Sequence, residues 1–176
     1  MGYVATLASG NENKLRELQH ALPGWEIELL GALEYPPETG ANYYENALAK
    51  ARFGRSLADP AEPGLGQRVR VVRRAGLGRI LLGAEELAGV EGTGRRARYV
   101  CELVAVSPQG AEHRGTGVLD GRIAEEMSGS EGFGFDPVFI PDGEERTVAE
   151  LGNDWKRENS HRARAARDLL ASIMPS

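Results

Sequence analysis

This 176-residue chain has one cysteine, two tryptophans and only three lysines among 21 basic residues. The single Cys101 excludes an internal disulfide and a cysteine-rich zinc site. No apolar run approaches the length of a membrane span, and the first residues lack the pattern of a secretory leader. A cytoplasmic protein with no membrane partner is therefore expected. An excess of positive charge is also missing: the net charge is -5, so nothing global points to nucleic acid. The sequence shows no internal repeat and no low-complexity linker. What remains is the composition of a soluble globular protein, 41% hydrophobic and 27% charged, long enough for a single domain over 1–176 with a real core. Because arginine is the default cation here, Lys14, Lys50 and Lys156 stand out.

Periodicity predicts a buried strand at Tyr3–Ala8, a helix at Asn13–Leu22 and a second strand at Trp25–Leu30. A Pro- and Gly-marked loop, Glu34–Gly40, leads into a helix at Asn42–Arg55. Residues 60–83 fit no pattern. Arg98–Val106 is the best strand in the chain. Gly115–Leu119 and Arg122–Ala124 read as strand pieces around a turn at Asp120-Gly121, and Pro137–Ile140 as a short strand. Ser160–Ile173 reads as a helix with Ala163, Ala166, Leu169, Leu170 and Ile173 inward and Arg162, Arg164 and Arg167 mostly outward. Early alternation and late clustering of strands predict an α/β fold with a mixed central sheet and flanking helices.

Four stretches carry chemistry. Ser9–Lys14, "SGNENK", lies where a strand turns straight into a helix. Unpaired N–H groups at a helix start, the bare backbone of Gly10 and the charge of Lys14 suit a phosphate. Read alone, the stretch is better explained by Ser9 or Asn11 simply capping the helix. Glu38–Arg52, "ETGANYYENALAKAR", places a loop carboxylate ahead of a helix bearing Glu45, Asn46 and Lys50. A loop carboxylate beside phosphate donors suggests Mg²⁺, which takes oxygen ligands; an ordinary capped helix is the alternative. "GFGFDPVF", Gly132–Phe139, offers Phe133 and Phe135 as flat faces for a base and Asp136 as an acceptor for its edge N–H groups, or else a tight turn with core aromatics. "KRENSHRA", Lys156–Ala163, puts His161 and Arg162 in the first turn of the last helix, where the dipole disfavours cations. Such local conflicts tend to mark functional sites.

In this order and at these separations the four stretches resemble the inosine/xanthosine triphosphate pyrophosphatases. The similarity spans most of residues 3–59 and 95–172, takes in "RRARYVCEL" and "TVAEL", and is most specific in "GFGFDP" and "KRENSHR". The resemblance implies an α/β fold with two lobes around a nucleotide-binding cleft, usually in a homodimer. It also implies Mg²⁺-dependent conversion of nonstandard purine nucleoside triphosphates to the monophosphate and pyrophosphate. Carried onto this chain, Ser9, Gly10, Asn11, Glu12, Asn13 and Lys14 would cradle the triphosphate and Glu38 would bind the metal. Phe133, Gly134, Phe135 and Asp136 would hold the purine, with Lys156, His161 and Arg162 completing the base and phosphate contacts.

The chain departs from the family at one place. An Asp-Asp-Ser-Gly element, whose aspartate is general base and metal partner, should follow the "ENALAKAR" helix, with a Gly-Gly-x-Pro-Gly-x-Tyr-Ser-Ala-Arg element after it. Ala58–Gly83 contains neither. Asp59 is the nearest catalytic and metal-binding candidate, several residues early and followed by Pro60; Glu62 is a weaker substitute. From Pro63 to Ala84 there is no acid, and Arg68, Arg70, Arg73, Arg74 and Arg79 crowd in. Codons for "QRVR" and "RRAGLGRI" can read "SESG" and "GGPGLGGY" one nucleotide on, so a shifted reading frame within an otherwise normal gene is one expectation. A catalytically silent nucleotide-binding relative is the alternative function. An RNA-binding module is a third, opposed by the acidic total and the absence of interleaved aromatics in the arginine-rich segment.

Overall fold

The computed structural model describes residues 3–32, 34–57, 68–78 and 92–174. They form β1 (Tyr3–Leu7), α1 (Glu12–Ala21), β2 (Trp25–Leu29), α2 (Tyr43–Ser56), β3 (Arg68–Gly78), β4 (Arg96–Val106), β5 (Glu112–Ile123), β6 (Phe139–Pro141), α3 (Val148–Asn159) and α4 (His161–Ile173). A short 3₁₀ turn, Gly92–Arg95, leads into β4. The strands make one six-stranded sheet in the order β2-β1-β3-β4-β5-β6. β1 is parallel to both β2 and β3, and the remaining pairs are antiparallel. The expected α/β class, with a mixed sheet and flanking helices, stands.

The sheet is covered on both faces. On one, Ala5, Leu7, Cys101 and Leu103 pack against Leu18 of α1, Leu22 just after it, and Ala165 and Leu169 of α4. On the other, Val104 and Val106 pack against Ala47 and Ala51 of α2. A third cluster, Ala97, Tyr99, Leu119, Ile123, Phe139 and Val148, fills the far end beneath α3. α4 lies directly on β5, because Gly115 and Gly117 present no side chain there. A Cβ at either would run into the backbone of Ala165 or His161. Among the described residues no helix is long and apolar enough to cross a membrane.

The structure corrects several expectations. Asp120-Gly121 is not a turn: β5 runs unbroken from Glu112 to Ile123. Asp120 sits in register with Arg98 and accepts from its Nε at 2.6 Å. A cross-strand ion pair thus uses a dipeptide that composition assigns to a bend. Residues 68–78, read as patternless, form a strand between β1 and β4. The start of this strand, Arg68-Val69-Arg70-Val71, does alternate. The strand expected from Pro137 starts at Phe139, after turns through 133–138. α3 was not expected, although Thr147 and Glu150 form a reciprocal capping box at its start. Arg162, expected to face mostly outward, is 7% exposed.

Candidate functional site

The site grows from the N-terminal end of α1. β1 stops at Leu7, and the chain turns with Ser9 N donating to Leu7 O at 2.9 Å. Asn11 caps α1, its Oδ1 accepting from Lys14 N at 3.1 Å, while Ser9 Oγ accepts from Asn11 N at 3.2 Å. The cap reading of this stretch is therefore satisfied in full. Among the described residues space remains above it: a Cβ at Gly10 would meet nothing within 4 Å. A concave ligand could rest on this turn without displacing the cap.

The loop before α2 is organised by Asn46, which is 3% exposed. Its Oδ1 accepts from Gly40 N at 2.8 Å, and its Nδ2 donates to Gly40 O and Asn42 O at 3.2 and 2.9 Å. Glu45 Oε2 accepts from Ala41 N at 2.7 Å, so that carboxylate closes the helix start. Glu38 faces outward, 37% exposed at its side chain, and accepts from Lys50 Nζ at 2.5 Å. Lys50 is thus a partner of Glu38 that spacing alone did not add to the expected site.

The other end is buried and densely charged. Asp136 is 3% exposed, and its Oδ2 accepts from Lys156 Nζ at 2.7 Å and from Phe133 N at 2.8 Å. Tyr99 OH donates a long bond, 3.4 Å, to Asp136 Oδ1. Burial, then the Asp136 charge, pushes the Tyr99 hydroxyl far up, so it stays a donor. Asp136 therefore uses its acceptors chiefly to tie its own turn to Lys156 and Tyr99. Gly132 makes this possible: a Cβ there would strike the Asp136 carboxylate and lie 3.0 Å from Lys156 Nζ.

Glu17 of α1 completes the cluster. Its Oε1 lies 2.9 Å from Lys156 Nζ and its Oε2 2.8 Å from Arg162 Nη1. Neither oxygen meets hydrogen-bond geometry among the described residues, so both keep acceptor capacity. This counter-charge resolves the conflict of Arg162 in the first turn of α4. Lys156 Nζ and Arg162 Cζ sit 4.8 and 4.9 Å from the centroid of the Phe133 ring, within cation–π range. His161, 2% exposed, stacks on Tyr99 with centroids 4.6 Å apart and planes at 6°.

Asn13, Glu17, Phe133, Asn153, Lys156 and Ser160 help line a cavity of about 330 Å³ between α1, α3 and the Gly132 turn, within the range of small-molecule sites. α1 thus joins the Ser9–Lys14 stretch to the Phe133–Lys156 end. Phe135 stands apart from this cavity, 42% exposed. Glu38 and Lys50 also lie off it. Asp59 and Glu62 lie outside the described residues. Among those residues no group of three or more His, Cys, Asp or Glu converges on a metal position. Glu17 was missed because its partners come from the far end of the chain, which no local spacing reports.

The family model described as the Ham1 family matches residues 5–65 and 73–172. The break between the two spans falls within 60–83, where the two expected elements are missing. A dITP/XTP pyrophosphatase of Deinococcus deserti is 36% identical over 188 residues, covering 97% of this chain and 89% of the relative. One of Symbiobacterium thermophilum is 38% identical, covering 95% and 93%. The solved HAM1 protein of Coxiella burnetii superposes with a TM-score of 0.72 at 24% identity, over 100% of both chains, a likeness of fold. The solved nucleoside-triphosphatase / dITP/XTP pyrophosphatase of Mycobacterium abscessus gives 0.66 at 33% identity, over 98% of this chain and 100% of that one. With matches on both sides of the one anomalous segment and relatives alike over nearly their whole length, the chain belongs to the Ham1 family.

Proposed function

We propose that this chain hydrolyses nonstandard purine nucleoside triphosphates (inosine, deoxyinosine and xanthosine triphosphate) to the monophosphate and pyrophosphate, removing them from the nucleotide pool. Relatives alike over nearly their whole length carry the name dITP/XTP pyrophosphatase. The observation that carries the reading is the buried Lys156–Arg162 pair over the Phe133 ring, paired with Glu17 midway along a helix that starts beside Ser9–Lys14. Phe133 supplies a stacking face. Lys156 and Arg162 are donors, which suit the six-position carbonyl of hypoxanthine or xanthine. Adenine offers an amino group there and would leave buried donors unpaired, a mismatch that discriminates strongly. Glu17, with open acceptor positions, complements the ring N–H groups of the same bases.

The triphosphate would extend toward Ser9–Lys14 and Lys50. Glu38 fits Mg²⁺ as a single exposed hard-oxygen ligand. That ion takes one or two carboxylates and fills its remaining positions with water and substrate phosphates. Held there, it would supply charge to offset the negative charge developing on the phosphates. Asp59 is the proposed carboxylate that orients the attacking water, and the second metal ligand. The proposed assembly, on the family resemblance, is a homodimer, and the proposed compartment the cytoplasm.

The test is pyrophosphate release from inosine, xanthosine, guanosine and adenosine triphosphates, each with Mg²⁺ and with chelator. Preference for the first two, lost with chelator, is expected. Equal or faster turnover of adenosine triphosphate overturns the base assignment, and undiminished turnover in chelator overturns the metal.

A further inference from the structure

Glu131 has no part in the proposed reaction and does not line the cavity. It does join the two pieces that make the base end. Immediately after it come Gly132 and Phe133. Across from it α3 changes direction at Gly152, whose φ of 84° and ψ of 177° lie outside the helical range. The second half of α3 restarts at Asn153 and carries Lys156 one turn later. Gly152 has no side chain with which to cap that restart. Glu131 does it instead: its Oε2 accepts from Asn153 N at 2.9 Å and from Asn153 Nδ2 at 2.7 Å. A carboxylate there satisfies an orphan N–H and faces the positive end of the new helical segment.

The loop has further ties to α3: Glu131 N donates to Ala149 O at 3.4 Å, and Ala149 N donates to Asp136 O at 3.0 Å. Ser128 Oγ donates to Glu150 Oε1 at 2.6 Å, and Thr147 Oγ1 donates to Ser128 O at 2.7 Å. All four contacts lie before Gly152 and fix only the first half of the helix. Among the described residues, the hydrogen bonds that tie the Phe133 turn to the second half of α3 come from Glu131 and from the buried Lys156–Asp136 pair.

We propose that Glu131 is a positioning residue, locking the Phe133 turn to the Lys156 half of α3 and so setting how well the cavity tells a six-oxo purine from adenine. The inference rests on the base-site reading above. It is tested by calorimetric titration of the full chain with inosine triphosphate, adenosine triphosphate and inorganic tripolyphosphate, in Mg²⁺, with melting temperatures measured alongside. Glu131→Ala should weaken inosine triphosphate about fivefold, the scale of one lost hydrogen bond. It should narrow the inosine-to-adenosine ratio and leave tripolyphosphate unchanged. Glu131→Gln, which keeps an accepting oxygen, should retain most of the preference. A lower melting temperature with the same ratios would reduce Glu131 to a cap and overturn the proposal. If the alanine variant does not fold, Glu131→Asp, too short to reach Asn153 from the same backbone, reads the same ratios. Phe133→Leu separates the two claims: an unchanged inosine triphosphate affinity there would sink the base site itself, whatever Glu131 does.

Discussion

Lys156, in the proposed base site, and Lys50, beside the proposed metal ligand Glu38, are held in opposite ways. Lys156 is 5% exposed at its side chain and lies between Asp136 and Glu17, themselves 5% and 20% exposed. Lys50 is 17% exposed and, among the described residues, pairs with Glu38, which is 37% exposed. A buried ion cluster cannot lose one member without stranding a charge in a poor solvent. A half-exposed pair trades its partner for water at little cost. The base end is thus fixed before any ligand arrives. The Glu38–Lys50 pair, at the proposed phosphate end, is one that ligands could divide, phosphate oxygens taking Lys50 and the proposed metal taking Glu38. Selectivity needs the first arrangement, since a pocket that relaxes around adenine rejects nothing. Binding a highly charged, hydrated chain needs the second.

The largest expected effect tests that contrast directly. Asp136→Ala removes one of two carboxylates from Lys156 and should cost about 3 kcal/mol of stability, the low end for breaking a buried pair because Glu17 remains. Glu38→Ala should cost no more than ~1 kcal/mol, as exposed pairs do. Urea unfolding of the two variants measures both. Equal losses would mean that the two ends are built alike.

The next effect concerns catalysis rather than stability. A water attacking phosphorus needs a carboxylate to orient or deprotonate it. The Asp-Asp-Ser-Gly element that should carry it is missing, and Asp59 is followed by Pro60, which stiffens the chain. A version with that element restored should release pyrophosphate from inosine triphosphate at least ~10²-fold faster than the chain as it stands. Comparable rates would show that Asp59 or Glu62 suffices, and Asp59→Asn would tell which.

Lys14→Ala comes third. Its proposed partner is phosphate, so triphosphate binding should weaken by ~1.5–3 kcal/mol, one charge-assisted hydrogen bond, while binding of the free nucleoside stays the same. Unchanged triphosphate affinity would leave Ser9–Lys14 as the helix cap that its hydrogen bonds already make it.

What the sequence disclosed follows from how far apart the interacting groups lie. The cap of α1 and the strand–helix switch at Ser9 depend on residues within four positions of each other, and they were legible. So was the capping box Thr147-Val-Ala-Glu150, which spells a helix start although the segment was not read as one. The ion pairing of Glu17 with Lys156 and Arg162 was not legible, because only the packing of α1 against α3 and α4 creates it. Asp120-Gly121 misled for the same reason: its composition says turn, and its cross-strand partner Arg98 overrules it. The family motifs pointed to Phe133, Asp136, Lys156 and Arg162 as a group, without showing that Asp136 spends its acceptors on Phe133 N and Lys156.

The smallest expected effect lies where the base-end loop is tied to α3. Glu150 is held below its ordinary pKa of 4.5, first by the hydrogen bond from Ser128 Oγ and then by the one from Thr147 N. A carboxylate whose pKa is lowered on folding adds stability above its unfolded value and loses it as pH falls through the folded value. Glu150→Gln keeps an accepting oxygen and abolishes the titration. The wild type should therefore exceed the glutamine variant in urea midpoint near pH 7, with the gap closing as the solution is acidified to about pH 3. Because Glu150 is exposed, the gap should be small beside the loss in Asp136→Ala. A gap that stays constant across this range would show that the charge of Glu150 adds nothing. The loop would then hang on neutral hydrogen bonds alone, and the contrast with the phosphate end would rest wholly on the buried cluster.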